Sequence, residues 1–226
     1  MANHDDSAEL AIVGSFNGNM TWMAYPEETM ERASHVLEDK GELWIIDPVD
    51  QSGLDEELSD RGEVKGVVVL LDRHKRDAAE IAKRFDVPVY VPAVMSDIET
   101  EIDAKTVQFT GELAETGYLS RVILDTPFWT EVALYHDQKR MLVIPEAVGT
   151  ASYFLADSER LGVHPMLRMT PPRDALRNID PERILVGHGR PILDNGETAL
   201  EEALAGSRRN APGLAGKTVK NFIFGR

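Results

Sequence analysis

The sequence predicts an α/β protein, a four-layer αββα sandwich in which two sheets face each other and helices cover both outer faces. Three stretches carry that expectation. Gly66–Leu71, Arg76–Phe85 and Val87–Val91 read as strand, helix and strand with short joints, and such a crossover requires parallel pairing. The middle of the chain gives short apolar runs separated by polar turns, the mark of an antiparallel meander. The last third returns to a strand, Arg183–Val186, and then an amphipathic helix, Glu197–Arg209. Two strand-and-helix halves around a meander bury their apolar faces as stacked sheets with helices outside.

Taken in order, Leu10–Phe16 and Trp22–Tyr25 read as short strands around the turn Asn17-Gly18-Asn19. Glu28–Asp39 has helical character with mixed polarity, and loop or part strand are the alternatives. Gly41–Asp47 is a strand stopped by Pro48, which cannot continue a ladder. A polar segment separates it from the crossover unit. Val107–Thr110, Arg121–Leu124, Val132–Tyr135 and Leu142–Ile144 supply the meander, with His136-Asp137-Gln138-Lys139 as one hairpin turn. Ser152–Leu161 and Pro172–Ile179 read as helices, and Asp194-Asn195-Gly196 opens the final one. No repeat or linker divides the chain, so residues 1–226 are expected to form one domain with its core at about 43–209.

Composition narrows the chemistry. With no cysteine among 226 residues, disulfides and thiolate ligands are both excluded, so any metal must be held by nitrogen and oxygen. A formal charge of −15 repels nucleic-acid backbones and anionic membranes, and the expected partner is a small molecule, with an anionic one among the options. Scattered acidic residues suit a solvated surface at high salt, as in a halophilic source; an ordinary acidic cytosolic protein is the alternative. No apolar run reaches the roughly 20 residues of a membrane span. The polar start does not read as a secretory signal, so a cytoplasmic protein is expected.

Candidate site residues lie just past the carboxyl ends of buried strands, where open α/β sheets place their chemistry. After Gly66–Leu71 come Asp72-Arg73-His74-Lys75-Arg76-Asp77, and after Arg183–Val186 come Gly187-His188-Gly189-Arg190-Pro191. His188 between glycines is the stronger candidate, because a plain turn would not need the imidazole. His74 taken alone is as well explained by ordinary hydrogen bonding.

The ordered set Ile45-Ile46-Asp47, Asp72-x-His74-x-Arg76-Asp77, Leu134-Tyr135-His136-Asp137, Pro145-Glu146-Ala147-x-Gly149-Thr150 and Gly187-His188-Gly189 resembles the metallo-β-lactamase superfamily. The match runs from about Leu43 to Arg209, and its specificity lies in the order, since no single piece is decisive. Members hold one or two metal ions with a His-x-His-x-Asp-His loop, a later histidine, a bridging aspartate and a final Gly-His. On that resemblance Asp72 stands for the first histidine and His74 keeps the second, while Arg76 replaces the aspartate and Asp77 the histidine after it. Glu146 takes the bridging position, His188 is kept, and Asp125-Thr126-Pro127-Phe128 offers no histidine.

The resemblance therefore implies metal-assisted hydrolysis of an ester, amide or thioester with a single zinc, manganese or iron ion, or no ion at all. The implied metal ligands are Asp72, His74, Glu146 and His188. A second ion is opposed by the fixed charge of Arg76. Glu146 or Asp77 would accept the water proton, and Arg76 would stabilise an oxyanion or clamp an anion. The alternative is a non-catalytic binding or scaffolding protein, its metal site replaced by an ion pair between Arg76 and Glu146 or Asp77. Asp77 also suits a helix N-cap, and Asp47 a loop support. Phe128-Trp129 would line or plug the cleft, with Trp22, Met20 and Met23 as the opposite rim or as core. His4, His35, His136 and His164 are expected in turns or at the surface.

Overall fold

Strands buried on both faces need apolar residues pointing both ways, and four short runs here meet that demand apart from Glu42, Glu63, Lys65 and Arg183. In β4 (Glu42–Ile46) and β5 (Glu63–Val68), Leu43, Ile45 and Val67 face one way and Trp44, Ile46 and Val68 the other. In β10 (Met141–Ile144) and β13 (Arg183–Val186), Leu142, Ile144, Ile184 and Val186 oppose Met141, Val143 and Leu185. The computed structural model describes residues 10–156 and 158–224, the last helix beyond residue 211 by its backbone alone.

Seven strands form the first sheet in sequence order: β1 (Ala11–Phe16), β2 (Asn19–Met23), β3 (Ala33–Asp39), β4, β5, β6 (Val89–Pro92) and β7 (Thr106–Phe109). The first four pair antiparallel and the last four parallel. Asn17 and Gly18, with φ of 45° and 80°, make the two-residue turn between β1 and β2 that matches strand twist. The second sheet runs β13-β10-β9-β8, with β8 at Leu119–Thr126 and β9 at Trp129–His136. Its meander is antiparallel, but β10 and β13 are parallel, with Ile144 opposite Val186. A small ribbon pairs β11 (Val148–Gly149) with β12 (Gly162–Val163).

Three apolar clusters map the layers. Leu54 and Leu58 of α1 (Leu54–Ser59), and Ala78, Ile81 and Ala82 of α2 (Ala78–Arg84), cover Ile45, Val67 and Val89 on the outside of the first sheet. Trp44, Leu70, Leu134, Val143 and Leu185 fill the space between sheets. Ala199, Leu200 and Ala203 of α3 (Gly196–Phe224) cover Ile144, Ile184 and Val186 on the far side. Helix, sheet, sheet, helix is the expected αββα sandwich. Among the described residues no helix is long and apolar enough to cross a membrane.

Several elements differ from expectation. The segment at Glu28–Asp39 is strand β3 over its second half, with Val36 facing the outer cluster and Leu37 the inner one. Thr106–Phe109 joins the first sheet in parallel with β6 instead of opening the meander. The polar segment after Asp47 contains helix α1, too short for a strong periodic signal. The described residues of Ser152–Leu161, and Pro172–Ile179, form turns and no helix. Carbonyls there are taken by arginine side chains, Phe154 O by Arg168 and Ala175 O and Arg177 O by Arg121. Trp22 and Met20 are fully buried core residues, not a rim.

Candidate metal centre

Register places two of the three central side chains. Because Ile144 pairs with Val186 in parallel, Glu146 and His188 each lie two residues beyond matched strand ends and come out side by side. Gly187 permits this, since a Cβ there would collide with Pro145 O. The third side chain comes from the facing sheet. Past β5 the chain forms a bridge between Leu71 and Glu131 and turns tightly, with His74 N–H donating to Leu71 O at 2.8 Å. Arg76 at φ 41° then redirects it into α2, so the helix begins at Ala78 and not at Arg76.

One ligand atom each from His74, Glu146 and His188 lies within 4.8 Å of the others, and all three residues are buried. The imidazoles are oriented from behind. His74 Nδ1 lies 3.1 Å from the Asp47 carboxylate, and His188 Nδ1 donates to Met30 O at 2.8 Å. Both rings therefore carry the proton on Nδ1 and leave the Nε2 lone pair for the group they form with Glu146. The ring centroids are 5.3 Å apart. Burial lowers the pKa of His188 to about 3 and that of His74 well below the usual histidine range, so both are neutral donors at neutral pH. Burial also raises Glu146 above the ordinary carboxylate range, against the pull of Arg73, and raises Asp47 to about 6.

Two guanidinium groups border the three side chains. Arg76 donates to Ala33 O and Asp47 O, both at 2.7 Å, and to Gly187 O at 3.3 Å, and its Nη2 lies 3.4 Å from His74 Nε2. Arg73 places Nε and Nη2 on one Glu146 oxygen at 3.0 and 2.8 Å, with its guanidinium over the Trp129 ring at 4.3 Å. Glu131, fully buried at the base, accepts the N–H groups of Glu146 and Ala147 at 2.8 Å each and that of the Trp129 indole at 2.8 Å. Burial pushes its carboxyl up to about 7. His188 Nε2, the Tyr153 hydroxyl and Arg76 Nε are buried with no hydrogen-bond partner.

No protein-family model and no curated protein sequence matches the chain. Solved structures do. A metallo-β-lactamase from Pontibacter korlensis aligns with a TM-score of 0.58 and 16% identity over 88% of this chain and 99% of that one. The metallo-β-lactamase from Hirschia baltica gives 0.58 and 10% over 90% and 98%. A peroxy diiron species of the chemotaxis sensor ODP gives 0.56 and 11% over 88% and 94%. This chain has the metallo-β-lactamase fold.

Within the metallo-β-lactamase fold the sequence-derived candidates separate. His74, Glu146 and His188 converge. Asp72 stands apart from that group: one oxygen accepts the Thr130 N–H at 2.7 Å and the other lies 3.3 Å from Arg73 Nη1. Asp77 occupies the N-cap of α2, yet its carboxylate accepts the Asp50 N–H at 2.7 Å instead of capping its own helix. The expected Arg76 ion pair takes another form. Glu146 pairs with Arg73, while main-chain carbonyls take up the Arg76 guanidinium, whose charge still acts on Glu146 without an ion pair between them.

His35 and His164 belong to the interior, contrary to expectation. His35 links Thr21 Oγ1 at 2.9 Å to Val186 O at 3.1 Å, and His164 Nε2 lies 3.6 Å from Glu146 with its ring against Trp129. His136 is likewise buried, while His4 lies outside the described residues. Phe128 is 91% exposed, whereas its neighbour Trp129 is buried. Sequence reasoning missed Glu131 and Tyr153; a lone glutamate in the apolar run of β9 was the available signal for the first.

The donor set fits one ion. Two neutral imidazole nitrogens, each backed by an acceptor on Nδ1, with a buried carboxylate between them, match a three-ligand open site of nitrogen and oxygen donors. Among the described residues no second such set is found, and the guanidinium of Arg76 lies beside this one among main-chain carbonyls.

Proposed function

We propose that the protein hydrolyses an ester, amide or thioester of a small molecule with one metal ion held by His74, Glu146 and His188. The observation that carries this reading is the pair of inward Nε2 lone pairs, one of them buried and unpartnered, converging on a buried carboxylate. Zinc, manganese and iron all suit two imidazoles and a carboxylate. An ion held there supplies Lewis acidity and lowers the pKa of a water toward about 7. Asp47 and Met30 O keep the histidine tautomers fixed, and Glu131 holds the main chain of Glu146. The second Glu146 oxygen accepts the proton of the attacking water and returns it to the leaving group. Arg73, in contact with both Glu146 and Trp129, orients that carboxylate.

A second reading has a specific observation behind it. Arg76 Nη2 already faces the lone pair of His74, and Arg73 already pairs with Glu146, as in a centre that has exchanged its ions for guanidinium groups. That reading makes the protein a non-catalytic binding or scaffolding module.

Elemental analysis of protein purified in molar salt without chelator separates the two. The hydrolase reading expects one ion per chain, its loss in both His74→Ala and His188→Ala, and ester hydrolysis abolished by chelator. Metal-free protein that binds no added zinc, manganese or iron would sink it.

A further inference from the structure

An ion satisfies only part of what the centre leaves unbonded. The His188 Nε2 lone pair is an acceptor that a cation can take, but the buried Tyr153 hydroxyl is a donor and needs an acceptor atom. Leaving a buried hydroxyl unpaired costs about 1–3 kcal/mol. Trp44 Nε1 and Tyr118 Oη are also buried and unpaired, within the layer between the sheets, so what singles out Tyr153 is its ring contact with His188.

Its placement is well defined. The Tyr153 ring meets His188 edge-on with centroids 6.0 Å apart and lies 4.5 Å from Phe154, which stacks on His188 at 5.9 Å. The turn that carries it is pinned to the site: Thr150 and Ala151 N–H donate to His188 O at 3.0 and 3.1 Å, and Ser152 N–H donates to Glu31 at 3.0 Å. The charges felt by the phenol are those of Glu146, Glu31, Arg76 and Arg73. Burial and the two carboxylates raise its pKa, so it stays a protonated donor wherever the histidines are neutral.

We propose that Tyr153 is a catalytic residue that donates a hydrogen bond to the carbonyl oxygen of the substrate, which sits between its hydroxyl and the His74–Glu146–His188 group. The proposal rests on the hydrolase reading above. Water oxygen adds to the carbonyl carbon, the π pair moves onto the carbonyl oxygen, and Tyr153 Oη–H holds that negative oxygen. Collapse restores the double bond and breaks the bond to the leaving oxygen, nitrogen or sulfur, which takes the proton removed from the water. Tyr153 keeps its own proton throughout.

Tyr153→Phe deletes one oxygen and little else. With p-nitrophenyl acetate, kcat is expected to fall about 100-fold, the usual scale for removing one oxyanion donor. KM and metal content stay at wild-type values, and the melting temperature stays level or rises, because the variant removes an unpaired buried hydroxyl. Binding of inorganic phosphate, a probe with anionic oxygens, is expected to weaken about 10-fold by calorimetry. Unchanged kcat overturns the donor role and leaves the hydrolase reading intact. A wild-type protein without turnover overturns the hydrolase reading. In that case weaker phosphate binding by Tyr153→Phe still supports the donor, and equal or absent binding overturns it. Loss of metal or of melting temperature in the variant would make Tyr153 structural and overturn the proposal as well.

Discussion

The Asp47 carboxylate lies 3.1 Å from Nδ1 of His74, and this bond sets both the tautomer of the ring and the direction of its free lone pair. Asp47 is itself fixed, at φ 44° with its other oxygen accepting the Leu70 N–H at 2.8 Å. In Asp47→Asn the amide cannot accept from both neighbours, while asparagine tolerates the left-handed backbone. Metal affinity is expected to fall about 10- to 100-fold, the usual cost of losing an outer-shell partner. Competition against a chromogenic chelator measures it.

Arg76→Met is expected to move stability and metal affinity in opposite directions. It takes one donor from each of the carbonyls of Ala33, Asp47 and Gly187, of which Asp47 O keeps the Ser34 hydroxyl and Gly187 O keeps the Ala33 N–H, at a cost of about 1–3 kcal/mol by denaturant titration. It also frees the His74 lone pair from Nη2, so the affinity for zinc rises. Affinity that fell together with stability would show that the guanidinium supports the site and does not compete for it.

Adding metal to metal-free protein should raise its melting temperature. At an ion concentration about 100 times Kd the native state gains about 2.7 kcal/mol, which for a chain of this size is about 5–10 °C. The same addition to His188→Ala should move the midpoint far less.

Acid should weaken the fold through His35. Its folded-state pKa, lowered to about 3 by burial and by the nearby Arg76 charge against the pull of Asp47, lies below the unfolded value of 6.5. The neutral ring is the one the fold accepts, so its contribution is complete above pH 6.5 and is lost as pH falls toward 3. The loss is about 1.4 kcal/mol per pH unit at most. His35→Gln should flatten the stability profile between pH 6 and 4 relative to wild type, while lowering stability at pH 7 through the altered bonds to Thr21 and Val186.

Salt should stabilise the protein. At a formal charge of −15, self-repulsion opposes the compact state and is screened over a few ångströms in molar potassium chloride. A melting temperature that falls between 0.1 and 1 M salt would contradict this.

The layers were legible because β4, β5, β10 and β13 carry apolar residues on both faces, with Glu42, Glu63, Lys65 and Arg183 the charged exceptions, a pattern that doubly covered strands need. His188 and Glu146 could be placed because each follows such a strand by two residues. What could not be read was geometry set across the molecule. Asp72 and Asp77 are as suited to ligation by type as Glu146, yet Thr130 and Asp50 N–H groups claim them, and no local pattern announces those partners. The choice between Arg73 and Arg76 as partner of Glu146 depended on the Ala33, Asp47 and Gly187 carbonyls, from three other segments, that take up Arg76. The helical pattern at Ser152–Leu161 was overridden by Arg168, from a separate segment, which draws off the Phe154 carbonyl. That same override leaves Tyr153 on a turn facing the site.

Gly187 passes so near the carbonyl of Pro145 that no further carbon fits between them. The two arms bearing Glu146 and His188 are thus braced like the jaws of a clamp whose opening is set by the spacing of adjacent strands. A larger guest could widen that opening only by prising apart a ladder of sheet hydrogen bonds. Calcium, which asks for about six to eight oxygen donors at longer range, is expected to bind far more weakly than zinc on size and on donor number together, which calorimetric titration of both ions would check.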